Sequence, residues 1–462
     1  MTAHAVPAKP RALKRSMRLM GVTLLTLSSI TPATSVFVIV PGVFQQAGTG
    51  ALISMAAIAV VSLFTAYVYA ELSSAFPIAG GEYSMVGKTI GPAAGFATLT
   101  LTALSNMLQP AVFSLGAAAY IKAVLPGVDA TAVGIAIIVI TTLLGVLHIR
   151  TNAWITGTFL ALELMALVVL TVLGFSHISQ PLSEFVHPVM LSGNALRPTP
   201  LAMIGLSGAA AIFAYQGYGS AVYFAEEMHE APRVVARTIM LTLFLAVATE
   251  IVPVAAVLMG APDMKALLGA DSPFTFFVEK VGGRWLSIAV SLGIAIAIFN
   301  AVLATVMQNG RFFFSTGRDE TWHGLINEAF VRTHPQFNSP WIATIVSGLT
   351  GIAACFIDNY TLLVLTGTGI VFVYGALCIS ALVGRRQGST DHAVYRMPFF
   401  PLVPLLGLAA LGFVLVTSIF DAKGRLSLVV NLGVVIAALV YYRLVLARRG
   451  TWVLRGPEDE HA

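Results

Sequence analysis

The chain has 462 residues, of which 57% are hydrophobic and only 10% charged. Soluble domains carry about 25% charged residues, so the composition excludes a soluble fold and fits a chain that lies almost wholly in lipid. The net charge of +5 does not mark a nucleic-acid binder, because the basic residues fall in short loops and tails between apolar runs, the positive-inside pattern of membrane proteins.

Apolar runs of about 17–25 residues can cross a bilayer. Twelve are predicted, over approximately 20–45, 50–75, 92–124, 131–149, 153–176, 200–225, 234–260, 285–315, 340–357, 359–383, 401–420 and 427–447. Residues 1–18 are polar and basic. The apolar run after them is too long for a signal peptide and lacks a small-residue cleavage site, so it reads as a retained first helix. The expected organisation is a cytoplasmic tail over 1–19, a transmembrane domain over 20–447 and a second cytoplasmic tail over 448–462. With both termini inside, 19 of the 26 Lys and Arg residues fall on the cytoplasmic side, the bias the positive-inside rule requires. The third and eighth helices read as long and tilted. The polar loop over 316–339 has room for one short amphipathic helix.

Two of the runs are interrupted. The first carries Thr31-Pro32-Ala33-Thr34-Ser35, and the sixth carries Gly217-Tyr218-Gly219-Ser220. In lipid every peptide N–H and C=O needs a partner, so a broken helix survives only beside protein or a water-filled cavity. Interrupted segments at matching places in two halves of a chain point to the binding site of a secondary transporter. Pro32 lacks an N–H and clashes with the preceding turn, which leaves the amides of Ala33, Thr34 and Ser35 able to bind an anion at a helix N-terminus. A plain proline kink repaired by Ser and Thr is the alternative.

Two acids fall within membrane segments. Glu163 lies near the middle of the fifth, and a carboxylate there costs about 2.5–3.5 kcal/mol on insertion scales, so it is expected to face the protein interior. Burial favours its neutral form, and Glu163 is the candidate for proton coupling; a neutral structural acid and a sodium ligand are the alternatives. Glu250, three residues before Pro253 of the seventh segment, reads as structural, bonded to carbonyls freed by that proline, with a place in the outer vestibule as the alternative. Glu71 reads as a solvated charge at the end of the second. Asn106, Gln109, Gln216 and Asn300 are polar residues on candidate pocket helices, each also explicable as interhelical glue. The histidines lie in loops and at helix ends without metal-ligand spacing, and Cys355 and Cys378 sit singly in apolar runs, so no metal, cofactor or disulfide framework is expected.

Four local motifs together resemble the amino acid–polyamine–organocation superfamily of permeases. They are Pro77-Ile78-Ala79-Gly80-Gly81-Glu82-Tyr83; Phe213-Ala214-Tyr215-Gln216-Gly217-Tyr218-Gly219 with Glu226-Glu227 and Pro232-Arg233; Gln308-Asn309-Gly310-Arg311 with Gly317-Arg318-Asp319; and Arg396-Met397-Pro398 leading to Pro401 and Pro404. The resemblance implies an all-α integral membrane protein of 12 transmembrane helices, with a LeuT-type five-plus-five inverted repeat (about 20–176 and 200–383) plus two extra helices. It implies an amino acid as substrate, its carboxylate on the first break and its amino group on the sixth segment. Thr31, Ala33, Thr34, Ser35, Asn106, Gln216, Gly217, Tyr218, Gly219 and Asn300 would line the site, and Tyr218 would close over the substrate as a gate. Many members carry Asp where Gly219 stands, so no extra carboxylate partner is present there. The expected protein is a proton-coupled amino acid importer of the plasma or inner membrane. A polyamine or organic-amine transporter and an amino acid exchanger are the alternatives within the class. An enzyme is not expected, because no paired acids or Ser/His set lies at membrane depth. A repeated filter loop, the mark of a channel, is missing from the sequence too.

Overall fold

The computed structural model describes residues 17–122, 127–147, 149–450 and 452–454. Most of the expected tails, including Lys9, Arg11, Lys14, Arg15 and Arg455, and also His148, lie outside the described residues. The first apolar run forms α1 (Leu19–Ile30), α2 (Pro32–Thr34), a π-helical turn (Ser35–Ile39) and α3 (Val40–Ala47). There follow α4 (Ala51–Ala75), a short α5 (Glu82–Thr89), α6 (Pro92–Lys122), α7 (Ala130–Gly145) and α8 (Ile149–Ser176). After a hairpin come α9 (Leu201–Leu206), α10 (Gly208–Tyr215) and a 3-10 segment (Tyr218–Glu227), which make up the second interrupted run. The rest comprises α11 (Ala231–Gly260), α12 (Met264–Gly269), α13 (Pro273–Gly282), α14 (Arg284–Arg318), α15 (Gly324–Phe330), α16 (Trp341–Ala354), α17 (Asn359–Gln387), α18 (Leu402–Ser418) and α19 (Ala422–Tyr441).

Among the described residues, seven helical stretches are long and apolar enough to cross a membrane, and the first, Leu19–Ala75, holds two of the predicted segments. Three shorter apolar helices, α7, α16 and α18, stand where the sequence predicts others. The two helices expected to be long, α6 and α14, have 31 and 35 residues. The 316–339 loop contains the short α15.

One large apolar core threads most of the helices, from Val22 of α1 to Val414 of α18, and a second, smaller one gathers around Tyr83, Phe96, Phe312 and Ala438. The helices α4 and α8 both pack extensively on α11, and α14 and α17 both pack on α6. Close approach needs small residues: a Cβ on Gly174 of α8 would lie 2.2 Å from the Ala256 carbonyl of α11, and one on Gly260 would lie 2.7 Å from the Gly174 carbonyl. One end of the bundle carries Met17, whose amide donates to the Glu227 carbonyl at 3.0 Å. The other end carries the hairpin and α12–α13.

Two expectations need correction. The chain is not purely helical: β1 (Val189–Ser192) and β2 (Ala195–Pro198) pair antiparallel in the loop after α8. These four-residue strands are too short to show an alternating pattern, and Gly193, at φ 62°, makes the turn. Glu71 is not solvated. It is fully buried, accepts from Arg385 Nε and Nη2 at 2.7 and 2.6 Å, and accepts from the Met397 amide at 2.7 Å. The chain after α17 folds back over the end of α4, which covers a charge that the sequence places at a helix end.

Removing one member of a buried pair strands the other and costs about 3–5 kcal/mol. Arg385→Ala should therefore lower the thermal unfolding midpoint of the purified protein in detergent. An unchanged midpoint would show that the Glu71–Arg385 pair does not hold α4 to α17.

Candidate substrate and proton site

The first interruption is a true break. Thr31 is left-handed at φ 51°, costly for a β-branched residue, and Pro32 follows without an N–H. The freed peptide groups find partners from side chains and from within the turn. The Thr31 hydroxyl donates to the Ile30 carbonyl at 2.7 Å. The Ser35 amide donates to the Thr31 carbonyl at 2.9 Å. The Ala33 amide donates across the bundle to Glu163 Oε1 of α8 at 2.8 Å.

The second interruption lies against the first. Gln216 is extended, and Gly217 takes φ 119°, a conformation open essentially to glycine alone. Ser35 Oγ of the first break donates to the Ala214 carbonyl of the second at 2.8 Å. A Cβ on Gly217 would come within 2.9 Å of Ile30 Cα, so the two breaks touch backbone to backbone. Gln109 of α6 donates to Gln216 Oε1 at 3.1 Å and fixes the extended residue.

Beside the second break lies a small polar cavity of about 30 Å³, lined in part by Asn106, Gln216, Gly217, Gly219, Glu82 and Tyr223. It has room for a water molecule rather than a substrate. Of the residues expected at the site, this cavity gathers Asn106, Gln216, Gly217 and Gly219. Thr31, Ala33 and Ser35 sit at the adjoining break, and Thr34, with a buried hydroxyl lacking a partner among the described residues, belongs to the same turn. Asn300 is buried within α14 and does not line the cavity. Tyr218 does not line it either: its hydroxyl is paired with Thr65 at 2.7 Å, and its ring packs against Tyr69 and Tyr374.

Sequence reading missed the floor of this cavity. Glu82, in the loop motif after α4, accepts from the hydroxyls of Tyr69 and Tyr223, the latter at 2.6 Å. Burial raises the Glu82 carboxyl above the usual carboxylate range, and the two tyrosine hydroxyls pull it back. Nothing in the local sequence links three residues so far apart.

The Met17 end below this cavity is closed by charge pairs. Arg311 meets Glu227 at 2.8 Å, and Arg318 meets Glu226 at 2.9 Å, all four side chains at most 8% exposed. Tyr83 donates to Asp319 at 2.7 Å, and the Ala79 amide donates to Glu226 at 3.0 Å. The two acids after the second break thus bind Arg311 and Arg318 at the C-terminal end of α14, joining three of the sequence motifs in one network. At the hairpin end, a wider cleft of about 270 Å³ lies between the first run and α6, lined by Phe37, Gln45, Tyr120, Asp271 and Tyr360 among others.

Apolar helices of membrane length, two of them interrupted where they meet at mid-bundle, define a polytopic membrane protein of the kind that binds small molecules at unwound backbone. The amino acid permease family model matches residues 18–442, and the chain belongs to that family. It is a permease and not an enzyme. It is 24% identical to the branched-chain amino acid permease BcaP of Bacillus subtilis over 430 residues, 88% of each chain. It is 28% identical to BcaP of Lactococcus lactis over 410 residues, 83% of this chain and 85% of the relative. It is also 25% identical to the methylthioribose transporter of Bacillus subtilis over 421 residues, 86% of this chain and 87% of the relative.

Gly217→Ala should hold the protein in the membrane at normal levels yet weaken substrate binding at least tenfold. The strained φ costs about 1–3 kcal/mol, and the new methyl group meets Ile30. Binding of radiolabelled substrate to purified protein checks this, and wild-type affinity would show that the two breaks need not touch.

Proposed function

We propose that this permease is a secondary active importer of amino acids in the cell membrane, driven by protons and working by alternating access. Its chain crosses the membrane twelve times with both termini in the cytoplasm, and its first ten crossings form the five-plus-five inverted repeat. The family and the relatives named as amino acid permeases support the substrate class. Gly219, standing where many members of the superfamily carry Asp, and the small apolar Ala33 favour neutral amino acids.

One observation carries the coupling: the Glu163 carboxylate sits on the Ala33 amide of the first break. A substrate carboxylate bound at that break needs the same donor. When ionised, Glu163 makes a strong charge-assisted bond and holds the amide. When protonated, it is a weaker acceptor and yields the amide to the substrate. Proton and substrate then favour each other, and by linkage the favour is mutual. The substrate's amino group meets carbonyls of the second break, and Tyr218 leaves Thr65 to close over it. Release follows when the Glu226–Arg318 and Glu227–Arg311 pairs part and the Met17 end opens.

In proteoliposomes, an inward proton gradient should accelerate amino acid uptake by the wild type. Glu163→Gln, a permanent mimic of the protonated acid, should lose this acceleration while keeping exchange of internal for external substrate. An unchanged response to the gradient would remove Glu163 from the mechanism.

A further inference from the structure

Glu163 is not alone at its depth. Gly174 of α8 meets Ala256 and Gly260 of α11, and the Ser179 amide after α8 donates to the Met259 carbonyl, so the two helices end together at the hairpin end. Glu163 lies eleven residues before Gly174, and Glu250 lies six before Ala256 and ten before Gly260. At about 1.5 Å per residue, the two acids sit within about 2–8 Å of each other along the bundle axis. Glu250 also faces Glu163 and Ser35, so the pair flanks the first break from two helices.

Both side chains are fully buried. Glu163 Oε2 and both oxygens of Glu250 have no hydrogen-bond partner among the described residues. The Tyr215 hydroxyl, on a fully buried residue at the second break, lies beside Glu250 and also lacks a partner among them. Among the described residues, the helices packed around the pair bring no cation to it. Arg311 and Arg318 of α14 are engaged by Glu227 and Glu226 at the Met17 end, and Arg284 of α14 and Lys280 of α13 lie at the hairpin end. Arg233 and Arg237 occupy the first turns of α11, and the titratable groups of α4 (Tyr67, Tyr69 and Glu71) include two already bonded to Glu82 and Arg385. Two carboxylates in a dry interior without a counter-cation cannot both carry charge cheaply.

We infer that Glu163 and Glu250 form one proton-binding site behind the first break, in which a single proton is shared between them. The inference rests on the proton-coupled reading above and adds a second residue to it. Glu250 acts as the positioning partner. It holds the shared proton beside Glu163 while Glu163 is engaged with Ala33, passes it over when the amide is released, and then takes up a second proton from solvent in its place, so that substrate binding brings net uptake. The free Tyr215 hydroxyl is placed to donate a hydrogen bond to Glu250 when that acid is charged, which ties the proton's position to the second break.

Infrared titration of the carboxylic C=O stretch tests this on the purified protein in lipid, with the proton itself as probe. The wild type should show two separated titration steps, because groups coupled by more than about one pH unit titrate as a pair. Glu250→Gln removes the neighbouring charge, so the remaining Glu163 step should move to lower pH by about one unit or more. Glu163→Gln should move the Glu250 step by the same amount, as linkage requires. If one variant does not fold, the other reads the same coupling from the opposite side, and the wild-type step pattern reads it without any substitution. A single wild-type step, or a partner step that stays in place in either variant, overturns the pair. Proton-driven uptake in proteoliposomes is scored separately. Coupled titration without such uptake would sink the transport reading and leave the pair standing, and uptake without coupled titration would do the reverse.

Discussion

A carboxylate reaching across a membrane bundle to one peptide amide is the interaction on which the rest of this structure turns. Pro32 breaks the first run, and the break exposes peptide groups that lipid cannot satisfy. Glu163 satisfies Ala33, Ser35 ties the first break to Ala214 of the second, and Gly217 lets the two backbones touch. The first two contacts each supply a partner for a polar group that would otherwise cost several kcal/mol. The bond that stabilises the break is also the one a substrate carboxylate would have to displace. Stability without substrate and affinity for it therefore draw on the same donor.

The two ends of the bundle are built differently. At the Met17 end, three segments remote in sequence converge: the Gly80-Gly81-Glu82-Tyr83 loop, Glu226-Glu227 after the second break, and the arginines of α14. Buried pairs of this kind stabilise weakly against apolar packing but are costly to break one partner at a time. Under the proposed transport cycle, this suits an element that is either fully closed or fully open. At the hairpin end the cleft beside Phe37 and Tyr120 is wider, with fewer charges around it.

Much of this was legible from the sequence because lipid imposes strict rules. The interruptions at Pro32 and Gly217, the buried position of Glu163, the long α6 and α14 and the helix within 316–339 follow from hydropathy, Pro and Gly placement, and the cost of a charge at membrane depth. What escaped depends on folding back in three dimensions. Glu71 sits at a helix end by sequence, and only the return of the chain after α17 buries it against Arg385. Glu82 becomes a ligand of two tyrosines that lie 13 residues before it and 141 after it. Ala33 was expected to present a free amide, yet Glu163 occupies it, because an unfilled donor at that depth is too costly to leave open. The short hairpin over 189–198 carries too few residues to betray a period.

If the Glu163 carboxylate and the substrate contend for one amide, binding must drive proton uptake. Calorimetric titration of the purified permease with a panel of neutral amino acids, in two buffers of different ionisation enthalpy, measures this directly. The account predicts that for the amino acids that bind, the apparent heat differs between buffers in the sense of a proton taken up with the substrate. Binding whose heat is the same in both buffers would contradict it.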